Sequence, residues 1–216
     1  PSRNNYCACG SGRAFKNCCE GRQNEDRPSW EVYRIRERNL MLINAVKDIL
    51  GIDEAKTWDD VRRDINDEQV KRVHEVIEAL WPRETDIAQL LPRPDERIFR
   101  AVFIGFVDPR TISVNVISWL PYFDEIIVAN PFINPTFIKP EFSPVHSPRQ
   151  HKAQFLKNAF LLLTLEPFIR SGQVQMIPDP SEFNDVFRQS IWRMAEQRVG
   201  SPSISDKEMG LYMKLA

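Results

Sequence analysis

From Ser29 onward, apolar side chains return three and four positions apart: Trp30, Tyr33, Leu40, Ile43, Val46, Ile49 and Leu50. That period draws one stripe along an α-helix. Ser29 is placed to cap its start and Gly51 to stop it. A second helical stretch opens at Thr57-Trp58-Asp59-Asp60, where a capping hydroxyl precedes an acidic first turn. A third runs from Asn66 or Asp67 to Leu80 with Val70, Val73, Ile77 and Leu80 on its apolar face, and Pro82 ends it. His74 lies beside that face and reads as a packed or surface histidine.

The pattern then changes. Arg97 to Val107 holds Ile98, Phe99, Ala101, Val102, Phe103, Ile104, Phe106 and Val107, a continuous apolar run expected of a buried strand, closed by Asp108-Pro109. Thr111 to Tyr122, with Ile112, Val116, Ile117, Trp119 and Leu120, fits a crossover helix. Glu125 to Ala129 fits a second buried strand, closed by Asn130-Pro131. A proline-rich loop spans Pro131 to Pro148, long for a compact domain. The strongest helical pattern follows, from Pro148 through Phe155, Leu156, Ala159, Phe160, Leu162, Leu163 and Leu165 to Ser171-Gly172. Val174 to Ile177 makes a third short strand before Pro178-Asp179-Pro180. Three buried strands separated by helices predict a helix-rich α/β domain with a short parallel sheet of about three strands and right-handed crossovers.

Composition is that of an ordinary globular chain: 216 residues, 42% hydrophobic and 27% charged, long enough to bury a core without metal. The formal net charge of −1 supplies no global attraction to nucleic acid or an anionic surface, so nucleic acid as a partner stays open. No apolar run approaches the roughly 20 residues that cross a bilayer. The polar start at Arg3, Asn4 and Asn5 does not read as a secretory signal, so a cytoplasmic protein is expected. Pro1-Ser2 is what removal of an initiator Met would leave. Ser205 to Ala216 carries a helical pattern that stops midway, which suggests a chain continuing past Ala216.

Candidate chemistry concentrates at the N-terminus. Cys7, Cys9, Cys18 and Cys19 fall within thirteen consecutive positions and the chain has no other cysteine. A reducing cytosol disfavours disulfides, and neighbours such as Cys18 and Cys19 bond to each other only with strain. Four thiolates around one tetrahedral zinc, at about 2.3 Å each, satisfy all four. Gly10-Ser11-Gly12 supplies a turn that reverses the chain between the two pairs.

The run from Arg3 to Cys19, Arg-Asn-Asn-Tyr-Cys-Ala-Cys-Gly-Ser-Gly-Arg-Ala-Phe-Lys-Asn-Cys-Cys, resembles the SEC-C motif. This zinc-binding module is best known at the C-terminus of the SecA translocase ATPase and is attached to many otherwise unrelated bacterial proteins. Ser11-Gly12 fit the family pattern, Arg13, Phe15 and Lys16 supply its basic and aromatic positions, and Cys19 stands where other members use His. The resemblance implies a structural Zn2+ held by Cys7, Cys9, Cys18 and Cys19. With four protein ligands the metal has no place for a water nucleophile. In a segment this short its binding free energy is folding free energy. The resemblance also implies contacts of the kind SecA makes with the chaperone SecB, the ribosome or lipid, through Arg13, Phe15 and Lys16; a metal staple packed on the main domain is the other reading.

The domain plan is therefore a knuckle at 1–22, a polar linker at 23–29 and a helix-rich α/β domain at 30–216. Two functions compete. One is recruitment of this domain to a protein or ribosomal partner through the knuckle. The other is an enzyme acting on a nucleotide or nucleic acid at a polar site formed by Asp108, Asn130 and Asp179, since open parallel sheets bind ligands at the carboxyl ends of their strands. Against the second stands the commonness of Asp-Pro and Asn-Pro as turn and helix-start chemistry. A third reading makes the chain part of a larger machine. No catalytic residue is assigned, as the chain lacks a Gly-rich phosphate loop, a nucleophile elbow and a His-Glu-x-x-His run. His146 and His151, near Glu141 and Glu166, match no metal-ligand spacing and read as a cap or a loop-docking pair. Oligomeric state is unassigned.

Overall fold

A computed structural model describes residues 3–4, 14–17, 20, 33–52, 56–92, 97–104, 108–129, 132–183, 185–186, 188–189 and 193. Its elements are α1 (Ile35–Leu50), α2 (Trp58–Asp64), α3 (Asp67–Leu80), α4 (Ile87–Leu90), β1 (Arg100–Ile104), α5 (Pro109–Trp119), β2 (Glu125–Ala129), α6 (Pro148–Ser171), β3 (Val174–Ile177) and α7 (Pro180–Phe183).

The helices begin where side chains can take up free N–H groups. Thr57 Oγ1 accepts from the Asp60 N–H while Asp60 accepts from the Thr57 N–H, and Asn66 and Gln69 repeat the exchange at α3. The first helix starts later than the pattern predicts. Arg34 is extended and its N–H donates to Glu37, so the helix begins at Ile35, and Tyr33, counted in the apolar stripe, precedes it. Ser29 lies outside the described residues. Gly51 and Gly172 stop α1 and α6 with positive φ, 65° and 91°, which other residues rarely adopt.

The three strands form one parallel sheet in the order β1-β2-β3. Parallel neighbours need crossovers, and α5 and α6 provide them. These two helices pack side by side, as same-handed crossovers stepping the same way across a sheet must. Along the register, Ala101, Ile126, Val128, Val174 and Met176 share one face of the sheet. Arg100, Val102, Glu125, Ile127, Ala129, Gln175 and Ile177 share the other. Both faces of β2 and β3 are buried. The expectation of a buried strand holds only in part at β1, an edge strand: Ala101 packs against the core, but Val102 is 58% exposed and Phe99, just before the strand, 72%.

The core joins Ile43, Val46 and Leu50 of α1, Val70, Val73 and Ile77 of α3, and Phe155, Leu162, Leu165 and Ile169 of α6. Three polar or charged side chains at its margin, Asn39, Arg38 and Glu125, are paired. The buried Asn39 of α1 donates to the Met176 carbonyl and accepts from the Met176 N–H, both at 2.7 Å, which closes the outer edge of β3. Arg38 lies 4.8 Å from the Trp81 ring and donates to the Leu80 carbonyl at the end of α3, a favoured place for a cation. Glu125 accepts from Arg100 and Gln175, neutralising the one carboxylate in the sheet.

The proline-rich loop is shaped rather than extended. It forms 3-10 turns at Pro135–Phe137 and Pro140–Phe142, and the fully buried Asn134 caps the first while donating to the Trp81 carbonyl at 3.0 Å.

Candidate functional site

Asp108 follows β1 and caps α5. Its Oδ1 accepts from the Arg110 N–H at 3.0 Å and from Arg110 Nε at 2.9 Å. Its Oδ2 accepts from Arg110 Nη2 at 3.0 Å and from Lys157 Nζ of α6 at 2.9 Å. Hydrogen bonds from Arg110, then from Lys157, hold the carboxyl far below the usual carboxylate range. A group so fully engaged is a poor proton acceptor. It ties the start of α5 to α6.

Asp179 follows β3, and its carbonyl accepts from the Glu182 N–H at 3.0 Å. Since β2 separates β1 from β3, the strands that lead to Asp108 and Asp179 stand about 10 Å apart. Asn130 lies outside the described residues. The strand order steps in one direction throughout, so the described sheet has no order reversal, the place where open sheets usually form a ligand crevice.

Glu182 carries a perturbation that the sequence pattern did not flag. Burial, reinforced by the charge of Asp179, pushes its carboxyl up to about 7 despite the opposing Arg188. Its neighbour Phe183 meets Phe137 edge-on at 4.6 Å, and Arg83 stands 5.6 Å from the Phe137 ring, so the docked loop closes this end of β3. The signal available in sequence was only an acid three positions after Asp179, a spacing shared with ordinary helix starts.

His74 is buried, its Nδ1 lies 2.8 Å from the Val70 carbonyl and its ring packs on Phe155. Burial lowers its pKa to about 4 even though the Val70 carbonyl pulls the other way. The charge of His151 adds to the effects that lower the His74 pKa. His151 Nε2 lies 2.9 Å from the Phe142 carbonyl and docks the loop onto α6, while His146 is exposed. Glu141 is exposed. Burial pulls the Glu166 carboxyl upward, but Lys47 at 2.6 Å and Arg170 at 2.8 Å outweigh it and hold the group low, linking α1 to α6. Among the described residues, no three His, Cys, Asp or Glu side chains converge to hold a metal ion.

At the N-terminus, Cys7, Cys9, Arg13, Cys18 and Cys19 lie outside the described residues. Around them the chain folds back. The Lys16 N–H donates to the Arg3 carbonyl at 3.0 Å, and Arg3 pairs with Glu20 at 2.7 Å. Phe15–Asn17 form a 3-10 turn on which Lys16 is exposed.

Fold and site together define a helix-rich α/β unit on a three-stranded parallel sheet, with no helix among the described residues long and apolar enough to cross a membrane. Comparison with protein-family models, curated proteins and solved structures finds no match.

Proposed function

We propose that this chain is a zinc-binding SEC-C motif protein whose knuckle, residues 1–22, brings the α/β domain to a protein or ribosomal partner. Cys7, Cys9, Cys18 and Cys19 hold one structural Zn2+, and Arg13, Phe15 and Lys16 present the contact surface. The observation that carries this reading is the confinement of all four cysteines to thirteen positions. The fold-back supports it: Arg3, four residues before Cys7, bonds to Lys16, two residues before Cys18, so the flanks of the two cysteine pairs lie together. The proposed setting is the cytoplasm, where thiolates persist.

Sedimentation of the zinc-loaded chain with purified ribosomes tests recruitment, alongside capture by purified SecB. Binding to one of them that weakens at least tenfold in Arg13→Glu/Lys16→Glu is the expected result. Binding that persists unchanged in that variant, or no binding to either, overturns it.

A second reading, an enzyme acting on a nucleotide or nucleic acid, draws on one observation: beside Asp179 at the end of β3, Glu182 keeps its proton up to about pH 7, where an acid–base group works best. Calorimetric titration with nucleotides tests it. Binding that is lost in Asp179→Asn supports this reading, and no heat with any nucleotide removes it.

A further inference from the structure

Three sheltered carboxylates of the domain are matched by donors. Asp108 accepts from Arg110 and Lys157, Glu166 from Lys47 and Arg170, and Glu125 from Arg100 and Gln175. Glu182, half-buried just past the end of β3, has no such match. Among the described residues no hydrogen bond reaches its carboxyl, and the charge of Asp179 acts on it from three positions back. A carboxyl so placed is stable either with its proton on or with its oxygens in water.

The contact around Glu182 is one that can part. Glu182 belongs to α7, a single turn in which its N–H donates to the Asp179 carbonyl at 3.0 Å, and an isolated turn has little stability of its own. Phe183 docks this turn: it packs on the core and meets Phe137 edge-on at 4.6 Å. Phe137 lies on the 3-10 turn that Asn134 fastens to the Trp81 carbonyl. The single turn is thus seated on a fixed loop through an aromatic edge, with an unmatched carboxyl beside it.

We propose that this seam is a proton-operated latch: with Glu182 protonated α7 stays docked on the loop, and with Glu182 ionised the turn swings out, parting Phe183 from Phe137 and baring the carboxyl end of β3.

The sign follows from the charges that face Glu182. Burial and then the charge of Asp179 raise its carboxyl from 4.5 to about 7, while Arg188 opposes them. Arg188 is also bonded to Asp185 at 3.2 Å and to the Glu182 carbonyl at 3.0 Å, and Arg83 stands on the loop side, 5.6 Å from the Phe137 ring. An opened turn returns Glu182 to water and to its ordinary value. The docked state therefore binds the proton more tightly, so loss of the proton favours opening. Across the interval from 4.5 to 7 the opening constant rises about tenfold per pH unit, and it levels off above.

Amide hydrogen exchange of the full 216-residue chain, followed residue by residue by NMR from about pH 5 to 7.5, tests the latch. Each rate is divided by the intrinsic rate at its pH. The Glu182 N–H, bonded to Asp179, and the Phe137 N–H, bonded to the Asn134 carbonyl, report on the two sides of the seam. The Met176 N–H, held by Asn39 in the core, reports on global unfolding. Both seam amides should open at least tenfold more often than Met176, and their opening constants should rise at least tenfold over that pH range. Glu182→Gln abolishes the rise, and Asp179→Asn, which removes the reinforcing charge, makes it smaller. Opening constants that stay flat in the wild type, an equal rise in Glu182→Gln, or seam amides that open only as often as Met176 overturn the proposal. The latch rests on neither functional reading, since exchange detects it with no nucleotide or partner present.

Discussion

Asn39 shows how much one side chain can settle. It sits in the interior of a helix, where Asn is a weak former, and nothing nearby in sequence reveals that it matches both peptide groups of Met176, 137 positions away. Asn39→Leu leaves that N–H and C=O buried without partners, so it should cost about 2–4 kcal/mol in chemical denaturation. A loss below about 0.5 kcal/mol, the range of a surface substitution, would show that the edge is not sealed this way. His74 titrates with a definite sign. Its pKa falls from 6.5 to about 4 on folding, so between those values the unfolded chain binds the proton and the folded chain does not. Stability should therefore fall as pH drops through that window, by about 3 kcal/mol at most. Glu182, raised from 4.5 to about 7, acts oppositely: its contribution is present at low pH and fades as pH rises through that interval. Thermal unfolding of His74→Gln against wild type between pH 4 and 7 separates the two. The variant should lose the acid-side slope, and parallel profiles would contradict the assignment.

At the scale of elements, boundaries were legible wherever local chemistry sets them. Thr57 with Asp60, Asn66 with Gln69 and Gly172 each mark an end through contacts within a few residues, and β2 and β3 begin and end where their apolar runs do. The start of α1 was not legible, because the period of apolar residues continues through Tyr33 while the backbone at Arg34 is still extended. Burial of β1 was not legible either, since an apolar run does not tell a central strand from an edge. Asp108-Pro109 follows the apolar run of β1 and starts α5 two residues before the Thr111 that the pattern predicts. Its cap and its ties to Arg110 and Lys157 predict that Asp108→Ala costs about 1–2 kcal/mol of stability. Asp108→Asn keeps an acceptor for the Arg110 N–H and should recover part of that loss. Equal losses in the two variants would place the whole effect in charge and none in the cap.

For the whole molecule, the parallel sheet and its crossover helices followed from the alternation of strand and helix patterns, whereas the packing of α1, α3 and α6 into one core depends on long-range contacts that no local pattern encodes. The suggested polar site shared this limit. Asp108 and Asp179 could be placed at strand ends from sequence, but not the strand between them or the cations that engage Asp108. The proposed knuckle rests on spacing over very few residues, the kind of signal a sequence carries best, because metal ligands this close along a chain need little help from the rest of the fold. Elemental analysis of the purified chain by plasma mass spectrometry tests it most directly. The account predicts one zinc per chain, lost when Cys18 and Cys19 are both changed to Ser. A chain that carries no zinc, with all four thiols open to alkylation under native conditions, would contradict it.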